Sequence, residues 1–323
     1  MTRQQLERNQ VWFYLGAILI GLATGTAAPA LSPLFEAVLW PALGLLLFST
    51  FTQVPLTHLP EAFRDRRFMG AVVAGNFLIV PLVIWALLAL GPDDPVVRLG
   101  ILMVLLMPCT DWFITFTHLS GGDTGRAIAV TPVVLLVQIA LLPVYLWLFM
   151  GETFAEILAA DRIVTVFVIL IVMPLIAAFL TERWAESRKG RQRITAHLGW
   201  LPVPLLALVV FLIAGSQVQA VVGALPVLGQ VLAVFVVYLL AAALFGASLG
   251  RLLGMAAGPT RTLIFSLGTR NSFVVLPLAL ALPPSWQAAT VVIVFQSLVE
   301  LFGMVAYLWA VPRFLAPADR PAV

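Results

Sequence analysis

Four reactive or charged side chains lie inside long apolar runs of this 323-residue chain: Cys109, Asp111, Arg270 and Glu300. Cys109 is the single cysteine, so neither a disulfide nor a cysteine-based zinc site can form within the chain. Two readings stay open for it, a small apolar filler or a soft thiolate ligand. Asp111 and Arg270 carry opposite charge and can pair, either as structural glue or as a site that exchanges a proton or an ion. Glu300 shares a helical face with Gln296, four residues earlier. Together with Gln138 they can line the floor of a polar site, although the two amides fit an ordinary helix contact equally well. Where an isolated charge stands at the centre of a bilayer it costs about 2.5–3.5 kcal/mol on insertion scales, so each must face protein, a partner or water.

The surroundings of these residues break helices. One apolar run reads Met107-Pro108-Cys109-Thr110-Asp111-Trp112-Phe113, and another reads Gly268-Thr269-Arg270-Asn271-Ser272-Phe273 with Pro277 beyond. Proline removes a donor and clashes with the preceding turn, and glycine is a poor helix former. An interrupted helix exposes N–H and C=O groups that a membrane tolerates only beside a cavity or inside protein. Two such breaks at matching places are the best sequence pointer to a carrier's binding site. Cys109, Thr110, Arg270, Asn271, Ser272 and Glu300 are therefore expected to hold a substrate. Asp111, Gln138, Gln296 and Glu300 are expected to couple an ion, H+ or Na+.

The elements that position them follow from composition. Hydrophobic residues make up 62% of the chain and charged residues 10%, with a mean hydropathy of +1.06; soluble domains carry about 25% charged residues. Runs of about 20 apolar residues span a bilayer, and ten are expected: 11–31, 34–56, 68–90, 98–120, 127–150, 163–181, 200–219, 227–250, 262–282 and 287–311. The runs are continuous rather than alternating, which predicts helices and excludes a barrel. The fold expected is an all-α polytopic membrane protein, with residues 1–323 one membrane domain.

The charges orient it. With the N-terminus in the cytoplasm, inside segments hold Arg3, Arg8, Arg64, Arg66, Arg67, Arg126, Arg183, Arg188, Lys189, Arg191, Arg193, Arg251, Arg261, Arg313 and Arg320. Only Arg98 and Arg162 fall outside, and Arg270 falls within a span. This asymmetry obeys the positive-inside rule and places the chain in a cell membrane, multi-pass, with both termini cytoplasmic. The basic balance thus reflects topology and anionic lipid, and no basic domain exists to bind nucleic acid. Residues 11–23 before Ala28-Pro29-Ala30 look like a cleavable leader, but removing them would spoil the repeat described next.

Five spans precede residue 160 and five follow, which predicts two inverted repeats, about 11–150 and 163–311, with the broken spans fourth in each. Val133-Val134-Leu135-Leu136-Val137-Gln138 echoes Val291-Val292-Ile293-Val294-Phe295-Gln296, making Gln138 the counterpart of Gln296. Tyr145-Leu146-Trp147 echoes Tyr307-Leu308-Trp309, at a spacing that differs by four residues. His58, His118 and His197 are scattered near span ends. No phosphate loop, nucleophile elbow or metal-protease spacing is present, so the chain reads as no enzyme, with no cofactor and no resident metal.

Ten spans, inverted halves and broken fourth and ninth spans resemble the bile acid/sodium symporter superfamily. Pro108-Cys109-Thr110 and Gln296-Ser297-Leu298-Val299-Glu300 resemble, within it, the arsenical-resistance carriers that export arsenite. The resemblance covers about residues 10–312. It implies that Cys109 contacts arsenic(III), that Glu300 is functional, and that spans 3–5 and 8–10 form a core moving against a panel of spans 1–2 and 6–7. Asn271-Ser272-Phe273-Val274 has valine where that family has an acid, Arg270 is an added cation, and Asp111-Trp112-Phe113 replaces small residues. The expected cargo is arsenite exchanged for protons; the alternative is a small organic anion taken up with sodium, its carboxylate on Arg270. The oligomeric state is not legible.

Overall fold

A computed structural model describes Leu6 and residues 9–57, 63–89, 91–152, 161–187, 191, 194 and 197–315. Arg3, Arg8, His58, Arg188, Lys189, Arg193 and Arg320, named above, lie outside the described residues. Twelve helices organise the rest: α1 Gln10–Ala27, α2 Ser32–Phe51, α3 Arg66–Leu88, α4 Pro95–Leu105, α5 Trp112–Leu119, α6 Thr124–Met150, α7 Ile163–Glu186, α8 Pro202–Ser216, α9 Val218–Leu252, α10 Ala257–Gly268, α11 Ser272–Leu280 and α12 Ala288–Phe314. Seven described segments (α1, α2, α3, α6, α7, α9 and α12) are long and apolar enough to cross a membrane; α4 and α8 are apolar but shorter. Their outward faces carry large apolar side chains such as Leu82, Trp85, Trp147, Leu240 and Leu244. Such a surface suits lipid, and the chain is an all-α polytopic membrane protein.

Local chemistry sets the helix ends. Asp65, Asp94, Asp111, Asp123 and Asn271 each cap a helix by accepting backbone N–H groups with the side chain. The expected spans 98–120 and 262–282 are each two helices, α4–α5 and α10–α11, parted at 106–111 and 269–271. The run 227–250 begins earlier than expected. α9 starts at Val218 and reaches 35 residues, with Pro226 inside it and only Gln217 between it and α8. A proline early in a long helix removes one donor, and neighbouring groups in a membrane bundle make up the loss.

Packing divides the helices into two groups. α8 packs on α1 and α2, and α7 on α2; α9 packs on α10 and α12, and α12 on α4. The first group rests on close backbone approach. A Cβ added at Gly21 would meet Phe211 O at 2.4 Å, and one at Gly25 would meet Gly215 O at 2.1 Å. This small-xxx-small stripe lets α1 and α8 touch main chain to main chain, as membrane helices do where lipid gives no hydrophobic drive to associate.

α3 contains a widened turn of five-residue hydrogen bonds at Gly75–Ile79. Pro81 lies just beyond and cannot donate to Phe77 O, the partner it would have in an α-helix. The Tyr145 hydroxyl of α6 donates to that carbonyl instead. The Tyr307 hydroxyl of α12 donates likewise to Leu239 O of α9.

Candidate functional site

The two breaks meet. Pro108 and Arg270 form an isolated antiparallel bridge. Cys109 N donates to Thr269 O at 3.1 Å, and Asn271 N donates to Met107 O at 2.6 Å. The polar main-chain groups freed by each break are thus satisfied by the other, which is why breaks of this kind occur in pairs inside protein. α4 and α10 bring their C-terminal ends to the crossing, and α5 and α11 begin there. Two negative and two positive dipole ends therefore converge within a few residues.

Asp111 stands at the start of α5. Its carboxylate accepts from Trp112 N at 2.7 Å, and the Cys109 thiol donates to it at 3.1 Å. Asp111 and Trp112 line a cavity of about 250 Å³ with Gln10, Gln53, Thr115 and Pro202. Cys109 is 3% exposed and sits outside that lining. The Trp112 ring stacks on Tyr14 of α1 at 6.2 Å and meets Phe273 edge-on at 5.2 Å. Trp112 is therefore one place where the α1 group touches the crossing.

On the other strand of the crossing the polar groups form a chain. Asn271 Nδ2 donates to Thr110 Oγ1 at 3.4 Å. Ser272 Oγ donates to Gln296 Oε1 at 2.9 Å, Gln296 Nε2 to Glu300 Oε2 at 2.7 Å, and Arg270 N to the same Oε2 at 2.9 Å. Glu300 is 1% exposed, and its Oε1 has no hydrogen-bond partner among the described residues. Gln138 is equally buried, and neither its Oε1 nor its Nε2 has a partner there. Such buried polar atoms cost free energy unless something else satisfies them.

Arg270 is 2% exposed. It donates from Nη1 to Leu105 O at 3.2 Å, and from Nη2 to Asn76 Oδ1 at 2.8 Å, Ser266 O at 3.0 Å and Leu267 O at 2.8 Å. The Tyr238 ring lies 5.5 Å from the guanidinium carbon. Of the expected site residues, Cys109, Thr110, Asp111, Arg270, Asn271, Ser272, Gln296 and Glu300 come together at the crossing. Gln138 makes no hydrogen bond to any of them.

Asn76 and Tyr238 were not anticipated from sequence. Asn76 sits in the widened turn of α3, where Gly75 allows close approach: a Cβ there would meet Leu267 Cδ2 at 2.9 Å. An amide inside an apolar run next to a glycine and shortly before a proline was the available signal. Tyr238 had none, since a lone tyrosine in a membrane helix is ordinary.

Residue numbers repeat around this centre. Tyr145 and Tyr307 each bond a carbonyl 68 residues earlier. Their acceptors, Phe77 and Leu239, like the tyrosines themselves, lie 162 residues apart. The same interval relates Cys109 to Asn271 and Met107 to Thr269, Leu105 to Leu267, and Asn76 to Tyr238. It also carries Gln138 onto Glu300.

A family model described as the sodium bile acid symporter family matches residues 40–244, nearly two thirds of the chain. The arsenical-resistance protein Acr3 of Corynebacterium glutamicum is 26% identical over 200 residues, 56% of this chain and 54% of that protein. The chain therefore matches about half the length of that curated relative.

Proposed function

The chain belongs to the sodium bile acid symporter family, and from that premise we propose that this transporter exports arsenite in exchange for protons. The observation that carries the reading is the thiol of Cys109 held 3.1 Å from the carboxylate of Asp111, which itself faces a cavity. Arsenite is a neutral trihydroxide near neutral pH, and arsenic(III) is soft, as is a thiolate. When an S–As bond forms, one hydroxide leaves arsenic and takes the thiol proton to become water. Release reverses this: water returns a hydroxide to arsenic and a proton to sulfur. Asp111, which accepts the Cys109 thiol, relays that proton between sulfur and the hydroxide, and its own carboxylate is one carrier for the exchanged proton. Glu300 is a second carboxylate at the crossing and a second carrier for the exchanged proton. The similarity to Acr3 supports the cargo, and Asn271, Ser272 and Thr110 are its polar neighbours.

We also propose ten spans in two inverted five-span halves, with spans 3–5 and 8–10 moving as a core against spans 1–2 and 6–7. The recurring 162-residue interval supports that arrangement. It pairs Gln138 with Glu300, one helical turn from the pairing with Gln296 that the apolar echo suggests. The cavity at Asp111 is lined by Gln10 and Pro202 from the α1 group and by Asp111, Trp112, Ile114 and Thr115 from the start of α5. It lies at the end of α1 that the arginine map assigns to the cytoplasm, as an inward-facing carrier requires.

A second reading, sodium-coupled uptake of a small organic anion, draws on the family's name and on the positive ends of α5 and α11, which attract carboxylates. One assay set separates the two. In everted vesicles, arsenite accumulation is expected to follow the pH gradient and to vanish in Cys109→Ala. Arsenite flux indifferent to both, with sodium-dependent carboxylate flux, overturns the arsenite reading.

A further inference from the structure

We propose that Arg270 is a tethered cation, standing where a mobile coupling cation would otherwise bind, so that this carrier works without bound sodium. The proposal rests on reading the crossing as the transport site.

The hydrogen bonds of the guanidinium all go to neutral oxygens: Leu105 O, Ser266 O, Leu267 O and Asn76 Oδ1. Among the described residues no carboxylate lies within ion-pairing distance of it. The carboxylate of Glu300 accepts the main-chain N–H of Arg270 rather than the guanidinium, so the guanidinium itself is stabilised by dipoles. Here Leu105 ends α4, and Ser266 and Leu267 lie in the last turn of α10. Both helices present their negative ends to the cation. Neutral carbonyl oxygens at the ends of broken helices are the ligand set that a hard monovalent cation takes in carriers. The family's name carries sodium, yet in this chain the four oxygens already serve a fixed positive charge.

The placement is central. Leu105 and Leu267 are 162 residues apart, and so are Asn76 and Tyr238, whose ring lies against the same guanidinium. Each half of the chain contributes one member of each pair. The cation itself comes from one half only, because the residue 162 positions before Arg270 is Pro108, its partner in the bridge. A single cation thus sits between the two half-helix ends. A sodium ion entering would compete with it for every oxygen and meet its repulsion. A tethered charge cannot leave with the cargo, so a sodium gradient has nothing to drive at this point, and coupling falls to the protons of Asp111 and Glu300.

The test reads stability and ion binding rather than flux, so it fails or succeeds independently of the cargo. The full chain is purified in detergent and melted in sodium chloride and in N-methyl-D-glucamine chloride at matched ionic strength. The native chain is expected to melt at the same temperature in both. Arg270→Ala is expected to melt several degrees lower without sodium and to recover saturably as sodium is added, and Asn76→Ala in that background is expected to lose the recovery. A saturable sodium stabilisation of the native chain overturns the proposal, and so does an Arg270→Ala chain that ignores sodium. If Arg270→Ala is not recovered folded, Arg270→Lys decides. Its ammonium can donate to the same oxygens, so it is expected to fold and to ignore sodium; a lysine variant that fails to fold or is stabilised by sodium overturns the proposal.

Discussion

The carboxylate of Asp111 has two separable tasks. It accepts the Trp112 N–H as the cap of α5, and it accepts the Cys109 thiol. Asp111→Asn keeps an oxygen for the cap, and losing a cap altogether costs about 0.5–2 kcal/mol. The variant is therefore expected to melt close to the native temperature while arsenite flux falls and loses its dependence on the pH gradient. Equal losses of melting temperature and flux would assign Asp111 to structure alone. At the membrane edge, Asp65 caps α3 and binds Arg126, which also binds Asp123. The Phe68 N–H first, and Arg126 second, hold the Asp65 carboxyl below its ordinary value of 3.8. A carboxyl more acidic in the folded state adds stability above its unfolded value and loses it as pH falls through the folded one. Native melting temperature should thus fall as pH drops below that ordinary value, and Asp65→Asn should flatten the fall. The chemistry-bearing residues were legible because breakers and polar groups stand out in apolar runs. The direction of the Arg270 side chain was not, since it depends on which oxygens a helix from elsewhere in the chain presents.

At the scale of elements, the two tyrosine contacts invite a paired comparison. Tyr145 and Tyr307 each lend a hydroxyl to a carbonyl on a neighbouring helix. Interhelical hydrogen bonds in membranes average about 0.6 kcal/mol, with a maximum near 1.7. Tyr145→Phe and Tyr307→Phe should each lower stability by about that amount in reversible unfolding, and by similar amounts if the two contacts are equivalent. The helix pair α1–α8 is less forgiving. Gly25→Leu places carbon where Gly215 O already lies, and overpacking of this kind costs about 1–3 kcal/mol. A sharp drop in folded yield is expected, whereas Gly16→Leu, with open space around it, should be tolerated. The broken helices were legible from Pro108 and Gly268 with their polar neighbours. The widened turn at Gly75–Ile79 was not, because a proline in a membrane run predicts a kink without saying how the turn before it relaxes.

Across the whole molecule, one contact of the α1 group with the crossing is the Tyr14–Trp112 stack. The proposed core-and-panel motion would part that contact, and Cys109 is bonded to Asp111, the residue before Trp112. An aromatic pair contributes about 0.5–1.5 kcal/mol, and 1.4 kcal/mol is tenfold in population. Trp112→Ala should therefore raise the labelling rate of Cys109, the only cysteine in the chain, by up to about tenfold with a water-soluble maleimide. An unchanged rate would remove Trp112 as the cover of the thiol. Seven spans and the membrane class were legible from hydropathy alone. Of the two sequence echoes, Tyr-Leu-Trp follows the 162-residue interval of the contacts, while the valine-rich one runs four residues short of it.

The length of α9 has a physical consequence. Its 35 residues extend about 52 Å at 1.5 Å per residue, against roughly 30 Å of hydrocarbon. Membrane helices tilt by at most about 40°, too little to absorb the excess, so part of α9 stands in the headgroup layer or beyond it. A helix in hydrophobic mismatch with its bilayer feels bilayer thickness. Because α9 packs on α10 and α12, and its Tyr238 rests on Arg270, thickness reaches the crossing. Reconstituted into lipids of increasing acyl length, the carrier should show a transport rate that passes through an optimum, and shortening α9 near Leu252 should move that optimum toward thinner membranes.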